Sequence, residues 1–357
     1  MLPIFKNGSY NDPNNYRGIA IMSCLGKLFC TVVNIRLYTW IEKHGKLSPW
    51  QGGFRKKIGC NFQCFRLMAT VFSQFSKKKG FQNKNQRRVF ACFIDFKKAY
   101  DSVNHKLLWK VLIETGISTK ILKMIRAMYS DISCRIKVKD FLSEEFFYSI
   151  GLRQGCVLSP LLFNLFIDGI VKFIYEENLG ILVGDVLIFI LLYADDIVLL
   201  AESEEELQKM VAKLENFCKE SQLYVNISKT NWMIFEKRKS ANTRESNITF
   251  SKNNLQRVEH FKYLGIIFST NINFADHEKY ILINAEKAAF YFWKTTGRFV
   301  SMKTSVLLNL FNTLVTSILL YCAEIWYPCI PKAEAKQIDC FLLSHLKRKR
   351  AWLFTLN

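Results

Sequence analysis

The stretch VLIFILLYADDIVLLA, residues 186–201, is apolar throughout except for two adjacent carboxylates, Asp195 and Asp196, near its middle. Burying two ionised groups without partners is too costly for a core, so the pair belongs in a turn, a water-filled cleft or beside a cation. Short apolar segments flanking a polar break read as a β-hairpin. Residues 194–196 form its tight turn between ILL and IVLLA, with both carboxylates at the exposed tip. The uninterrupted apolar part, residues 186–194, is far too short to span a membrane.

The chain can surround such a hairpin with a sizeable core and more than one subdomain, since half of its 357 residues are hydrophobic; it is not a disordered protein. Lys and Arg number 50 against 30 Asp and Glu, a formal charge of +20 that favours a polyanionic partner, nucleic acid or an acidic membrane surface. No dedicated membrane signal supports the second. The opening MLPIFKNGSYNDP lacks the charged and apolar regions of a signal peptide. The 11 Cys are scattered without zinc-site spacing and read as reduced core thiols of an intracellular protein.

Before the hairpin, the apolar positions Leu25, Leu28, Phe29, Val32, Val33 and Leu37 recur at helical spacing, which predicts a helix over residues 25–41. The basic run SKKKGFQNKNQRR, residues 76–88, reads as a solvated loop that can also meet phosphates. VFACFIDF, residues 89–96, suits a buried strand carrying Asp95 at its end, with a capped helix after it. Another helix opens at Pro160 with Ser159 as its N-cap, apolar nearly all round and therefore buried. After the hairpin, Ser203 and Glu206 have capping-box spacing, and Leu207, Met210, Val211, Leu214, Phe217 and Cys218 share one helical face. Strand-like pieces LYVNI, NWMIF and FKYLGIIF follow, and the pattern is mainly helical from residue 276. This order predicts an α+β fold, an antiparallel sheet backed by helices.

Asp95 and Asp195 come side by side if their strands are neighbours in the sheet. Carboxylates held that close repel one another unless a divalent cation lies between them. Hard oxygen ligands imply Mg²⁺, with Mn²⁺ as a substitute, and a two-ion site of this kind carries out nucleotidyl transfer.

YADD at residues 193–196, FIDFKKAYD at 93–101 and GLRQGCVLSPLLFNLFID at 151–168 together resemble the polymerase motifs of non-LTR (LINE-type) retrotransposon reverse transcriptases. NYRGIAIMSCLGKLF and QGGFRK upstream, and LYVNISKT and FKYLGIIF downstream, extend the resemblance over about residues 2–270; LLYCAEIW, residues 319–326, continues it loosely. It implies a right-hand polymerase fold: fingers over residues 1–88, a ferredoxin-like palm with some fingers elements over 89–270, and a helical thumb-like segment over 271–357. The implied activity is RNA-directed DNA synthesis with two Mg²⁺, the implied partners an RNA template, a DNA primer and dNTPs, and the implied site of action the nucleus.

The resemblance assigns Asp95, Asp195 and Asp196 as catalytic, metal-binding carboxylates and Tyr100 as the aromatic gate against a ribose 2′-OH. Alone, Tyr100 would read as a core aromatic. Gln154 and Gly155 match the segment against the incoming nucleotide and template, where glycine admits close backbone approach; the alternative is an ordinary loop. Lys6 and Arg17 match cations that neutralise the triphosphate, or are plain surface cations. Lys229 matches the lysine that protonates pyrophosphate, or pairs with a nearby acid. Tyr193 is placed under the primer terminus; Phe261, Tyr263, Leu264 and Gly265 match the primer grip, their aromatics being equally suited to sheet core. LKRKR, residues 346–350, reads as a phosphate-binding end or a nuclear localisation patch.

GFRKKIGC, residues 53–60, departs from the family's GFRKGRST, which bears on template contacts. The chain starts inside the fingers and carries neither an endonuclease nor a Cys/His knuckle, as one piece of a longer element or a decayed copy would. Two rival readings follow: a catalytically inactive nucleic-acid-binding remnant, and an RNA-dependent RNA polymerase, which Tyr100 and the alanine of YADD disfavour.

Overall fold

The computed structural model describes residues 1–77, 88–130, 132–237, 247–296 and 303–354. Most of the basic run at 76–88 and the side chains of residues 346–350 lie outside the described residues. The chain divides into two units. One comprises Met1–Gly59, Val89–Trp232 and Thr243–Arg257, the other Cys60–Arg88, Met233–Asn242 and Val258–Asn357. These boundaries differ from the sequence divisions at 88 and 270, because packing groups residues distant in the chain.

A five-stranded sheet runs in the order Ile190–Tyr193, Asp196–Ala201, Val89–Ile94, Asn231–Phe235, Gln256–Arg257. Val89–Ile94 is buried at every position, as its unbroken apolar run requires of a strand covered on both faces. It pairs antiparallel with Asp196–Ala201, from Ile94 opposite Ile197 to Ala201 opposite Phe90. The predicted hairpin is present, one residue tighter than expected: Tyr193 pairs with Asp196, so Ala194 and Asp195 alone make the turn.

Glu204–Ser221 buries Leu207, Met210, Val211, Leu214, Phe217 and Cys218, the face its spacing predicts. Its cap is Ser203, whose hydroxyl accepts from Glu206 N–H at 3.1 Å; the Glu206 carboxylate reaches back to Glu202 N–H at 3.1 Å. The helix at Pro160 differs from expectation. Ser159 is its first residue rather than its cap: Leu158 holds the cap position without a side-chain bond, and the Ser159 hydroxyl shares a 3.3 Å hydrogen bond with that of Tyr129. The helix ends at Ile167, with Gly169–Tyr175 following as a separate helix.

Cys24–Lys43 confirms the first predicted helix but buries only Val33 and Leu37 of the six apolar positions read from the spacing. Cys30, Val33, Leu37 and Ile41 are buried, whereas Leu25, Leu28, Phe29 and Val32 are exposed. LYVNI forms no strand, only an isolated bridge from Val225 to Phe96. Two short ladders, Ser133–Cys134 with Phe146–Phe147 and Lys137–Val138 with Phe141–Leu142, escaped the sequence reading because they are largely exposed and lack an alternating buried face.

In the second unit FKYLGIIF is a hairpin, His260–Tyr263 with Ile266–Ser269, rather than one strand-like piece. Leu264 and Gly265 turn it with φ of 43° and 90°, and the Tyr321 hydroxyl donates to the Leu264 carbonyl at 2.9 Å. The predicted helical pattern is present: Ala285, Ala289 and Phe292 of Ala275–Thr296 pack with Leu307, Phe311, Val315, Leu319 and Phe341 as this unit's core. Among the described residues no single helix is long and apolar enough to cross a membrane.

Candidate active site

Asp95 follows directly on the last residue of the central strand, and the chain grips it on both sides. Its N–H donates to the Thr230 hydroxyl at 3.2 Å, and its carbonyl accepts from Asn226 N–H at 2.7 Å. The turn supplying both contacts also carries Lys229, whose side chain is exposed and whose N–H donates to the Asn226 carbonyl at 3.1 Å. One step beyond the last sheet pair, Ile94 with Ile197, come Asp95 and Asp196. Cross-strand neighbours face the same side, so register alone brings these acids together.

Their electrostatics follow. Lost hydration, then Asp195, then Asp95 push the Asp196 carboxyl up to about 6, although solvent reaches its side chain. Lost hydration also raises the Asp195 carboxyl, as does Asp95; its own backbone hydrogen bond, Arg17 and Lys6 pull the other way. Three coupled acids, two of them reluctant to ionise, are matched to a cation or a protonated state. Lys6 and Arg17 lie on or beside a two-stranded hairpin, Leu2–Phe5 with Tyr16–Ile19, in which Ile4 pairs with Arg17. Both side chains are exposed, with their charge felt at Asp195.

Tyr100 stacks on Phe163, ring centroids 4.4 Å apart and planes at 15°. Its hydroxyl is buried without a hydrogen-bond partner among the described residues, and burial first, then Asp195, raises its pKa. The Tyr100 carbonyl accepts from Leu152 N–H at 2.7 Å, tying it to the segment that carries Gln154 and Gly155. There Gln154 Nε2 donates to Asp101 at 2.7 Å, and the Gln154 carbonyl accepts from Ala20 N–H at 2.7 Å. Gly155, at φ 103°, would place a Cβ 3.0 Å from the Ala20 carbonyl oxygen. Only glycine fits there, for both reasons.

The structure thus gathers Asp95, Asp195, Asp196, Tyr100, Lys6 and Arg17 into one electrostatic neighbourhood, and adds Tyr193 through its pairing with Asp196. Phe261, Tyr263, Leu264 and Gly265 belong to the other unit. Tyr263 is 3% exposed, a core residue there; Phe261 is half-buried, and Leu264 with Gly265 form the hairpin turn.

Sequence reasoning missed the supports of the Ala194–Asp195 turn. Gln51, fully buried, accepts through Oε1 from Gly53 N–H at 2.8 Å and Ala194 N–H at 3.1 Å. Asn164 Nδ2 donates to the Gly53 carbonyl at 2.6 Å. A lone Asn inside an all-apolar helix was the available signal. Arg55, in the divergent GFRKKIGC segment, makes a two-pronged bond to Glu42 at 2.9 and 2.7 Å and donates to the Ser48 carbonyl at 2.9 Å. It is therefore part of the scaffold.

Among the described residues no three His, Cys, Asp or Glu side chains are grouped so as to hold a metal ion by themselves. The donors still suit a hard divalent cation, which typically takes only one or two protein carboxylates and completes its shell with water and substrate phosphates.

The sequence model of a family described as "Reverse transcriptase (RNA-dependent DNA polymerase)" matches residues 4–268. A Pol polyprotein from the type-1 retrotransposable element R2 of Nasonia vitripennis is 28% identical over 267 residues, covering 72% of this chain and 25% of that protein. The RNA-directed DNA polymerase from mobile element jockey of Drosophila funebris is 24% identical, covering 74% of this chain and 28% of that protein. The chain thus spans about a quarter of the length of these relatives. Among solved structures, apo telomerase from Candida tropicalis aligns over 90% of this chain and 54% of its own, at 14% identity and a TM-score of 0.48.

Proposed function

Because this chain belongs to the reverse transcriptase (RNA-dependent DNA polymerase) family, we propose that it extends a primer 3′-OH with dNTPs on an RNA template, as the polymerase portion of a non-LTR retrotransposon protein. The observation that carries this reading is the register of the sheet, which sets Asp95 beside Asp196 and the Ala194–Asp195 turn, with Lys6 and Arg17 felt at the same carboxylates.

In this reading Asp95 and Asp195 hold two divalent ions, Mg²⁺ or Mn²⁺, and Asp196 adds negative potential beside them. When bound, such ions acidify the attacking hydroxyl and neutralise the leaving phosphates. The chain's own residues do the rest. Lys6 and Arg17 neutralise the triphosphate, the exposed Lys229 delivers a proton to departing pyrophosphate, and Tyr100, fixed against Phe163, blocks a 2′-OH. Gln154 and Gly155 lie along the incoming nucleotide, and Tyr193 lies under the primer end. In the second unit the Leu264–Gly265 turn serves as the grip, with Phe261 at its flank and Tyr263 anchoring it from the core. Residues 1–88 act as fingers, 89–270 as palm and 271–357 as thumb. The formal charge of +20 holds template and primer backbones without sequence preference, and the nucleus is the place of action.

A second reading, binding of nucleic acid without polymerisation, is favoured by the divergence of GFRKKIGC, residues 53–60, from the family pattern. Primer extension on poly(rA)/oligo(dT) with Mg²⁺ separates the two. Incorporation by the parent chain that disappears in Asp195→Asn supports the polymerase; binding without incorporation by the parent chain overturns it. Efficient incorporation of rNTPs in the same assay points instead to RNA synthesis.

A further inference from the structure

The turn between Tyr193 and Asp196 is not self-supporting. Ala194 occupies the left-handed region at φ 55°, which a side-chain-bearing residue adopts only when its surroundings hold it there. What surrounds it is a strap formed by residues 50–53. Leu192 N–H donates to the Trp50 carbonyl at 3.0 Å, Gly52 N–H donates back to the Leu192 carbonyl at 2.8 Å, and Gln51 bridges Leu192 in parallel. The strap thus extends the sheet by a fragment of strand at the edge carrying the turn.

Two contacts fix the strap against the turn itself. A Cβ on Gly53 would collide with the Ala194 nitrogen, so the backbones meet at closest approach. Gln51 Oε1 accepts from both Gly53 and Ala194 N–H, which also settles which end of its amide is oxygen. From the other side Asn164 Nδ2 holds the Gly53 carbonyl at 2.6 Å. Gln51 and Asn164 are 0% and 1% exposed, so water does not compete for these bonds.

We propose that Gln51 is a positioning residue for the catalytic turn: its side-chain carbonyl holds the Ala194 N–H, and with it the direction in which Asp195 points, while Asn164 fixes the strap from which Gln51 acts. Asp195 is the next residue after Ala194, so a change in the Ala194 peptide is passed directly to that carboxylate. Gln51 touches neither substrate nor ion in this role. It rests on the polymerase reading only for its catalytic consequence; the clamp itself is independent of activity.

The test uses the 357-residue chain and two near-isosteric variants. Gln51→Met removes the acceptor and keeps the volume; Gln51→Glu, buried beside Asp195 as the neutral acid, keeps a carbonyl acceptor for both N–H groups. Hydrogen–deuterium exchange read at the Ala194 amide is expected to quicken roughly tenfold in Gln51→Met and to stay near the parent value in Gln51→Glu, with Val89–Ile94 unchanged in both. In primer extension, Gln51→Met is expected to lower kcat roughly tenfold or more with the KM for dNTP within about twofold, the split of a residue acting on the reacting geometry rather than on binding. Unchanged exchange at Ala194 in Gln51→Met overturns the clamp whether or not the chain polymerises. Faster exchange with full kcat in a polymerising chain overturns its catalytic role. A parent chain that shows the exchange pattern and incorporates no nucleotide keeps the clamp and defeats the polymerase reading.

Discussion

The ring of Tyr100 lies flat against that of Phe163, centroids 4.4 Å apart and planes within 15°, and the tyrosine hydroxyl is buried with no partner among the described residues. In the proposed polymerase reading, a ring so held does not swing away from a bulkier sugar. Replacing Tyr100 with Val is expected to raise rNTP incorporation relative to dNTP by at least an order of magnitude, since steric exclusion is lost. Phe163→Ala, which leaves Tyr100 in place but unsupported, is expected to give a smaller change in the same direction. Competition between labelled rNTP and dNTP measures both, and equal selectivity in parent and Tyr100→Val removes Tyr100 from the gate.

Asp196 titrates near 6 because of lost hydration and two neighbouring acids, so its ionised form is strained above that pH. A carboxyl whose folded pKa is raised binds its proton more tightly in the folded state. Its contribution to stability is therefore full below the ordinary value near 3.8 and is lost as pH rises through about 6. Asp196→Asn is expected to raise the Tm at pH 7.5 without divalent cation by roughly 2 °C, and to leave it nearly unchanged at pH 4. Mg²⁺ should stabilise the parent more at pH 7.5 than at pH 5, where it competes with a proton. Thermal melts at these pH values, with and without Mg²⁺, check each step.

His277 offers an acid-side counterpart in the second unit. It is fully buried, accepts from Ile267 N–H at 3.4 Å and meets Trp326 edge-on; burial first, then Lys262, pushes its pKa from 6.5 down to about 4. The unfolded chain takes up this proton first, so the contribution is present above 6.5 and is lost as pH falls toward 4. The loss is on the order of 2–3 kcal/mol. Urea midpoints from pH 7 to 4 should fall steeply in the parent and less in His277→Gln.

Gly53 and Gly155 differ in why they must be glycine. A Cβ on Gly53 meets the backbone of Ala194 and Tyr193, which cannot give way without moving the turn; at Gly155 the obstacle is φ 103° with the Ala20 carbonyl 3.0 Å away. Gly53→Ala is expected to cost about 2 kcal/mol or more and Gly155→Ala about 1–2 kcal/mol in denaturant unfolding. Equal midpoints for both variants and the parent would show that these approaches relax.

The Tyr321 hydroxyl holds the Leu264 carbonyl at 2.9 Å, where Leu264 itself has positive φ. Tyr321→Phe is expected to cost about 1 kcal/mol, the net value of one hydrogen bond. Gly265→Ala should cost more, since its Cβ would lie 2.7 Å from the Tyr321 ring. Chemical denaturation of the two variants gives the order.

Much of the site was legible because its residues break local rules. Asp95 ends a strand that is otherwise wholly apolar, and Asp195 with Asp196 interrupt another apolar run, so the sequence marks both positions without reference to neighbours. Lys6 and Arg17 became legible only through motif resemblance, because an exposed cation carries no local signature. Gln51, Asn226 and Thr230 carried none either, since their roles consist of hydrogen bonds to backbone groups 143, 131 and 135 positions away in the chain.

Two helices show where sequence stops. Glu204–Ser221 has one apolar and one charged face, so its pattern alone decided which side would be buried, and Leu207 through Cys218 are where it pointed. In Cys24–Lys43 the spacing marked Leu25, Leu28, Phe29, Val32, Val33 and Leu37, and the tertiary packing buried only Val33 and Leu37 of these, together with Cys30 and Ile41. The same division holds at the centre of the protein. Sequence by itself determined that the Asp-Asp pair had to lie at a turn, in a water-filled cleft or beside a cation, because desolvation permits little else; that Asp195 sits in the turn and Asp196 opens the next strand, and which groups hold them, was decided by strand register and a strap from far along the chain.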